Sequence, residues 1–426
     1  MAEDLSLTRI SQTQLDALID RHESFIVARK GGARANLSYH DLRGLNFSGR
    51  NLSDADFTGA SLFDSDFHDA RLDRAILYCA DLRGANLNGA SLLRADLRGA
   101  TLRGAILVGA NMEGVDLREG SLATTGGDGA LVAAHKNLTA ADRGGANLAG
   151  ANLSEAKLAS SVAINSNFSD ATLKNVKLSG SNLKGANFSG ANLENADFSK
   201  CDVSDVNFCG AVMIGTLINL SDVKEEHLAG AMSATPAGPS KSDLALPIEE
   251  LVQLHQIWLA TNGAKGQSLD ISRFDLRKGV DFGKMCLTLM RGVGAILYGV
   301  NFGGAQLQFA DLRDADMRQT KCQDTDMRSV CLTNAKLNNS IFKRAQLQPL
   351  ALSGQRQLKS NLSGAVLRLA DFSGADLRMV DFRNADLTES TFLQADITGA
   401  DFTGAKLDRM RIDEAQRQVL TDNGFL

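Results

Sequence analysis

The 426-residue chain is 44% hydrophobic but only 5% aromatic, holds 40 glycines against 4 prolines, and has a formal net charge of −5. Its aliphatic content excludes a disordered polar chain, whose composition favours proline and charge, and leaves Leu, Ala and Phe to build the core. Residues 1–235 carry 22 basic and 28 acidic side chains and residues 236–426 carry 23 and 22, so neither half has the basic excess of a nucleic-acid-binding domain.

The N-terminal MAEDLSLTRI has no basic stretch leading into an apolar core, as a signal peptide would. No apolar run reaches the roughly 18 residues that a membrane helix needs. The six cysteines (Cys79, Cys201, Cys209, Cys286, Cys322, Cys331) are scattered and form no CxxC pair. They are expected to be reduced thiols in a cytoplasmic protein, with Cys201 and Cys322 facing inward and the other four outward.

Along the chain, the first element is a helix within SQTQLDALIDRHESFIVARKGG, with Leu15, Leu18, Ile19, His22, Phe25 and Ile26 on its apolar side. From Leu37 every fifth residue is then large and apolar: Leu42, Phe47, Leu52, Phe57 and so on, unbroken to Leu122. Two residues before most of these centres stands a small one (Ala55, Ala60, Ala70, Ala75), and glycines such as Gly84, Gly89 and Gly99 end many units. The segment 123–144 interrupts the repeat and changes its phase, so a projecting loop or irregular coil is expected there, carrying His135 and Lys136. A second block runs from Leu148 to Leu228, with Ala163 as its exception. Residues 236–246, rich in proline, form the expected linker. PIEELVQLHQIWLATNG follows as a second helix, with Pro247 at its start and Asn262-Gly263 at its end. A third block runs from Phe282 to Ile412, where Gly292, Cys322 and Gln357 depart from the pattern, and a short closing helix begins at Asp413.

A period of five matches neither the 3.6 of a helix nor the 2 of a strand. It fits a chain that turns a corner every five residues, with the large centre and the small residue two before it pointing inward. Four sides close a square coil, and coils stack by backbone hydrogen bonds at roughly 4.8 Å. Asp or Asn just before many centres (Asp56, Asn86, Asp96, Asp376) suits a tight corner, because these side chains bond nearby backbone.

Units such as GANLNGASLLRADLRGATLRGA and GADFTGAKL resemble the pentapeptide-repeat family, with its A-(D/N)-L-x-x consensus, from about residue 35 to 412 with two gaps. The resemblance implies an all-β solenoid, the family's right-handed quadrilateral β-helix. The two helices share a second motif: His22-x-x-Phe25-Ile26 matches His255-x-x-Trp258-Leu259, and resembles the start that opens the coil in other members. Two modules are therefore expected, 1–235 and 247–426, each opened by a helix that covers unpaired strand edges. The matching places of His22 and His255 favour a structural role, each bonding backbone near the first coil.

No HxH or HExxH zinc pattern, GxSxG elbow or GxxxxGK[ST] loop is present. No catalytic, cofactor or metal residue is assigned. Residues twenty apart should stack into columns. Arg43, Arg83 and Arg103 share one with Phe63; Arg98 and Arg118 lie below Tyr78; Asp56, Asp96 and Asp116 share a third with Ile76. An acidic cluster is expected at Asp54, Asp56, Asp64, Asp66, Asp69 and Asp73. These walls suit a non-enzymatic protein-interaction scaffold, since solenoids expose long surfaces. The alternative comes from the resemblance: some members mimic duplex DNA and bind DNA gyrase or topoisomerase IV. No direct nucleic-acid or membrane binding is expected, and the apolar end NGFL offers a homodimer contact through the C-terminal helix.

Overall fold

In the computed structural model each five-residue unit makes one straight side and one corner. The structure describes residues 7–120, 122–125, 131–134, 145–221, 223–277, 279–351 and 357–425, and the chain divides into two compact units, 1–235 and 236–426.

In both units the residue before each centre forms a single parallel bridge to the residue twenty further on: Asn36 to Asp56, Asp56 to Ile76, Ile76 to Asp96. Twenty residues are four sides, so a coil closes every four repeats. The amide of Phe57 donates to the Ile76 carbonyl at 2.7 Å, and that of Asp56 to the Ala35 carbonyl at 3.1 Å. Corners interrupt the pairing every five residues, which is why the rungs are isolated bridges and not continuous strands. Each corner is a four-residue turn, closed for example by the Ala55 amide on the Leu52 carbonyl at 3.1 Å. Its third residue has positive φ, +64° at Asp54 and +69° at Gly84. That requirement favours Gly, Asn and Asp at the end of the repeat unit, although Arg74, Cys79, Leu289 and Phe309 also adopt it. The carboxylate or amide before the centre secures the side: Asp56 Oδ1 accepts from the Thr58 amide at 2.9 Å, and Asn46 Oδ1 from that of Ser48 at 2.8 Å.

The centres fill the lumen, and Leu62, Leu82, Leu97 and Phe188 are among those with no solvent exposure. Each contributes roughly 1.5–3 kcal/mol on burial. Lumen phenylalanines of the first unit stand only on the first and third sides, counting from the side of Leu37. They stack along the axis (Phe47 on Phe67, 4.4 Å) and meet edge-on across it (Phe57 with Phe67, 6.0 Å). Alanines two before the centres leave the room these rings need.

Three places depart from the spacing of twenty. Ile106, Asn111 and Asp116 pair with residues 41 further on, Asn147, Asn152 and Lys157. The extra chain contains an antiparallel hairpin of β3 (Leu122–Thr125) and β4 (Leu131–Ala134). Cys331, Lys336, Ile341 and Gln346 pair thirty residues on, because ten residues leave the wall around a second hairpin, β5 (Leu350–Ala351) and β6 (Gln357–Leu358). Gln357 therefore lies on this excursion and is not a lumen position. Pro349 stands where a corner residue of positive φ is needed, and its ring fixes φ near −65°, so the chain cannot turn there and leaves. The first coil of the second unit holds one extra residue, and Asp270 pairs with Arg291.

Each unit begins with the same arrangement. In the first, β1 (Thr8–Arg9) pairs in parallel with β2 (His40–Asp41), and α1 (Gln12–Ile26) follows behind a capping box of Ser11 and Gln14. In the second, Ser240 bridges Asp275, the counterpart of Asp41, and α2 (Ile248–Ala260) follows Pro247. Residues 236–246, expected as a linker, thus supply a rung: Asp275 donates its amide to Pro239 and accepts that of Ala237. The helices bond the backbone of the neighbouring coil. Gln12 both donates to the Asn46 carbonyl and accepts from its amide, each at 2.9 Å, and Glu23 accepts the Asn51 amide at 3.0 Å. At the far end, α3 (Glu414–Asp422) seats Leu420 in the core, and Gln416 Nε2 donates to the Ala395 carbonyl at 2.9 Å. Phe425 lies edge-on to Phe402 at 5.7 Å. The apolar end expected to be available to a second copy is thus partly spent on the chain's own core; Leu426 lies outside the described residues.

Candidate interaction walls

Outward side chains flank each centre, one residue before and one after. Both project from the same side, so an aspartate before a centre and an arginine after it meet on one wall. This occurs throughout the chain. Arg43 pairs with Asp41, Arg83 with Asp81, Arg98 with Asp96 and Arg118 with Asp116 in the first unit. Arg313 with Asp311, Arg328 with Asp326, Arg378 with Asp376 and Arg383 with Asp381 repeat it in the second. Each guanidinium bonds both carboxylate oxygens, the strongest form of such a contact. The Arg98 and Arg118 guanidinium groups hold the Asp96 and Asp116 carboxyls below the usual carboxylate range against the opposing effect of burial. Arg43 does the same to Asp41. Where Ser or Thr replaces Arg, the hydroxyl takes the place: Thr398 and Thr403 lower Asp396 and Asp401 through their own hydrogen bonds.

The expected columns form. Asp56, Ile76, Asp96 and Asp116 are successive rungs of the first side. On the second side the Arg83 guanidinium lies over the Phe63 ring at 5.6 Å, and on the first the Arg98 guanidinium lies over Tyr78 at 5.4 Å. Arg103 follows Arg83 one coil on; burial and the Arg83 charge lower its basicity.

The acidic cluster is not brought together. Residues 54–73 wrap one whole coil, which puts Asp56 on the first side, Asp64 at the corner of the second, Asp66 and Asp69 on the third, and Asp54 at the corner of the fourth. Asp54 is bonded by both Arg74 Nε and Nη2, at 2.9 and 2.7 Å; Asp66 by Asn86 at 2.9 Å; Asp69 by His68 at 3.2 Å. Asp73, in the same stretch, is buried and bonded by Arg71. His135 and Lys136 lie outside the described residues.

At the unit entrances, His22 Nδ1 accepts the Ala35 amide at 3.0 Å and His255 Nδ1 accepts that of Leu269 at 2.9 Å. Phe25 and Trp258 lie flat against these rings, at 6.1 and 5.7 Å. Burial lowers the basicity of both histidines. Cys79, expected to face outward, is buried at a corner with φ +56°. Cys322 fills a lumen position, and burial pushes its thiol up to about 12. Burial also raises Cys201. Among the described residues, no group of three or more His, Cys, Asp or Glu side chains gathers as a metal ligand set, and no helix is long and apolar enough to cross a membrane.

What sequence reasoning missed is the pairing itself. Its signal was the recurring D-x-R about a centre, as in Asp41-Leu42-Arg43 and Asp96-Leu97-Arg98.

Stacked four-sided coils with walls of this kind define a right-handed β-helix solenoid, a repeat protein. Eight stretches, 41–77, 80–118, 144–180, 166–205, 177–215, 295–334, 359–389 and 380–409, match the family model for pentapeptide repeats. They cover more than half of the chain, which belongs to the pentapeptide-repeat family. Among solved structures it is similar to HetL, a pentapeptide repeat protein involved in heterocyst differentiation regulation in Nostoc sp. strain PCC 7120, at 18% identity over 92% of this chain and 95% of that one, with a TM-score of 0.17. Full-length QnrB1, a plasmid-mediated fluoroquinolone resistance protein, gives 16% identity over 62% and 96%, with a TM-score of 0.19. Rfr23 from the cyanobacterium Cyanothece 51142 gives 21% over 26% of this chain and 60% of that one, with a TM-score of 0.18. With TM-scores this low, the family assignment rests on the repeat matches. A search of curated proteins finds no significant match.

Proposed function

We propose that this protein is a non-enzymatic scaffold that binds a protein partner on the outer walls of its solenoids. The observation that carries this reading is the bidentate Asp–Arg pair repeated along the walls, with Phe63 and Tyr78 beneath two of the arginines. Paired arginines are already ordered, so a partner that docks on them loses less side-chain entropy. In this reading α1, α2 and α3 cap the solenoid ends, where their side chains occupy edge amides and carbonyls that would otherwise template aggregation. A cytoplasmic location fits the six free thiols.

Mimicry of duplex DNA toward DNA gyrase or topoisomerase IV has less support. It needs a continuous acidic face. Here Asp54, Asp56, Asp64 and Asp66 fall on four different sides, and Asp96 and Asp116 are matched by arginines.

The test is affinity capture with the full-length protein, followed by a hydrogen-exchange footprint of the recovered complex. Protection confined to one wall, and loss of the partner with Phe63→Ala and Arg83→Glu at unchanged melting temperature, supports the reading. A complex indifferent to substitutions on all four sides of both units overturns it.

A further inference from the structure

The two entrance histidines share the contact at Nδ1 and differ in the rest of their surroundings. Both rings are fully buried, and Nδ1 of each accepts a main-chain amide two residues before the first lumen centre. His255 Nε2 donates to the Thr288 carbonyl at 2.9 Å. Among the described residues, His22 Nε2 is buried without a hydrogen-bond partner, and the Ser53 carbonyl, at the position that corresponds to Thr288, favours its imidazolium. A nitrogen that accepts a hydrogen bond must be unprotonated; an imidazolium has only donors. Protonation would set N–H against N–H at the Ala35 and Leu269 positions.

The charges that face the two rings are different. His22 faces Asp54 from the first coil and Glu23 from its own helix, both of which favour the imidazolium, and Arg34 from the connecting segment, which opposes it. Asp54 is in turn held by Arg74, and Glu23 by Arg50 and the Asn51 amide. The corresponding positions around His255 are Leu289 for Asp54, Gln256 for Glu23, Ser268 for Arg34 and Phe309 for Arg74. Burial opposes the imidazolium at His255, and the Thr288 carbonyl favours it.

We propose that His255 is an acid-operated latch: mild acidification releases α2 from the first coil of the second unit, while α1, whose histidine faces two carboxylates, stays seated. This rests on the reading of α1 and α2 as end caps. The released state exposes the amide of Leu269 and the carbonyl of Thr288, a bare strand edge.

The sign follows from linkage. Seated α2 holds His255 unprotonated, whereas released α2 lets it take up a proton. The seated state is therefore at full strength above the ordinary imidazole value of about 6.5, and weakens up to tenfold per pH unit as pH falls from there toward the depressed value. The experiment is hydrogen exchange on the full chain from pH 7.5 to 5.0, corrected for intrinsic exchange. Protection of 251–260 and of the Leu269 amide should fall below about pH 6.5, by up to tenfold per pH unit, with Ala35 and α1 losing much less. Leu289→Asp should abolish most of that loss, since it supplies the missing carboxylate at a corner of φ +64° that aspartate tolerates better than leucine. Equal loss at both ends, no loss at either, or an acid response unchanged by Leu289→Asp overturns the latch. If α2 amides are already unprotected at pH 7.5, it is the capping reading that fails.

Discussion

Arg98 donates from Nε and Nη2 to the two carboxylate oxygens of Asp96, at 2.9 and 2.7 Å, across one residue, Leu97, that points the opposite way into the lumen. The repeat builds core and wall from the same three residues. Because the pair is partly exposed, Arg98→Ala should cost only about 1 kcal/mol or less at neutral pH. The contribution is present above the ordinary carboxylate pKa of about 3.9 and is lost as pH falls through the depressed Asp96 value. Urea melts should therefore separate wild type from Arg98→Ala at pH 7 and narrow the gap as pH falls toward about 2, leaving only what the contact of Arg98 with Tyr78 contributes.

Leu97 has no solvent exposure. Leu97→Ala should cost about 2–5 kcal/mol. Leu97→Asp should cost more, because its charge has no partner in the lumen. Circular dichroism melting checks both; a Leu97→Asp protein that melts like wild type would contradict the inward assignment.

Glycines at positive φ should differ according to what surrounds them. At Gly109 (φ +63°) a methyl group would meet nothing within 4 Å, so Gly109→Ala should cost about 1 kcal/mol for the left-handed backbone alone. At Gly266 (φ +79°) it would lie 2.2 Å from the Leu254 carbonyl oxygen and 2.7 Å from the Trp258 nitrogen, at the end of α2. Gly266→Ala should cost about 3 kcal/mol or more, and thermal melts of the two variants should rank them in that order.

The second hairpin should be dispensable. Deleting residues 350–359 restores the spacing of twenty between Cys331 and its rung partner, provided that Pro349→Gly supplies the positive φ of the missing corner. The deletion protein should keep its far-ultraviolet spectrum and cooperative melting. The same deletion with Pro349 retained should be less stable, as scanning calorimetry would show.

Much of this architecture was legible because lumen filling imposes a strict period. Leu37 to Leu117 could be placed one by one, and the small residues at Ala55 or Ala75 follow from the space the rings require. The first interruption was visible because a pairing distance of 41 shifts the phase by one. The second was hidden because ten extra residues are two whole repeats, so the apolar residues after it stay in phase with those before. Only Gln357 and Pro349 mark it. The rung at Ser240 was masked by its prolines, which an edge strand tolerates on the side that needs no donor. The walls were harder. Sequence proximity misled at Asp54–Asp73, since neighbours along a coil face different directions, whereas the pairs that matter are two apart or twenty apart.

The most direct test of walls that recognise protein without imitating DNA is binding of the full-length protein to purified DNA gyrase and topoisomerase IV at about 0.15 M salt, where long-range fields are screened beyond about 8 Å. The expected result is no saturable binding and no effect on supercoiling. Saturable binding that weakens when Asp56, Asp96 and Asp116 are changed to Asn would contradict it and make the acidic column of the first side the functional surface.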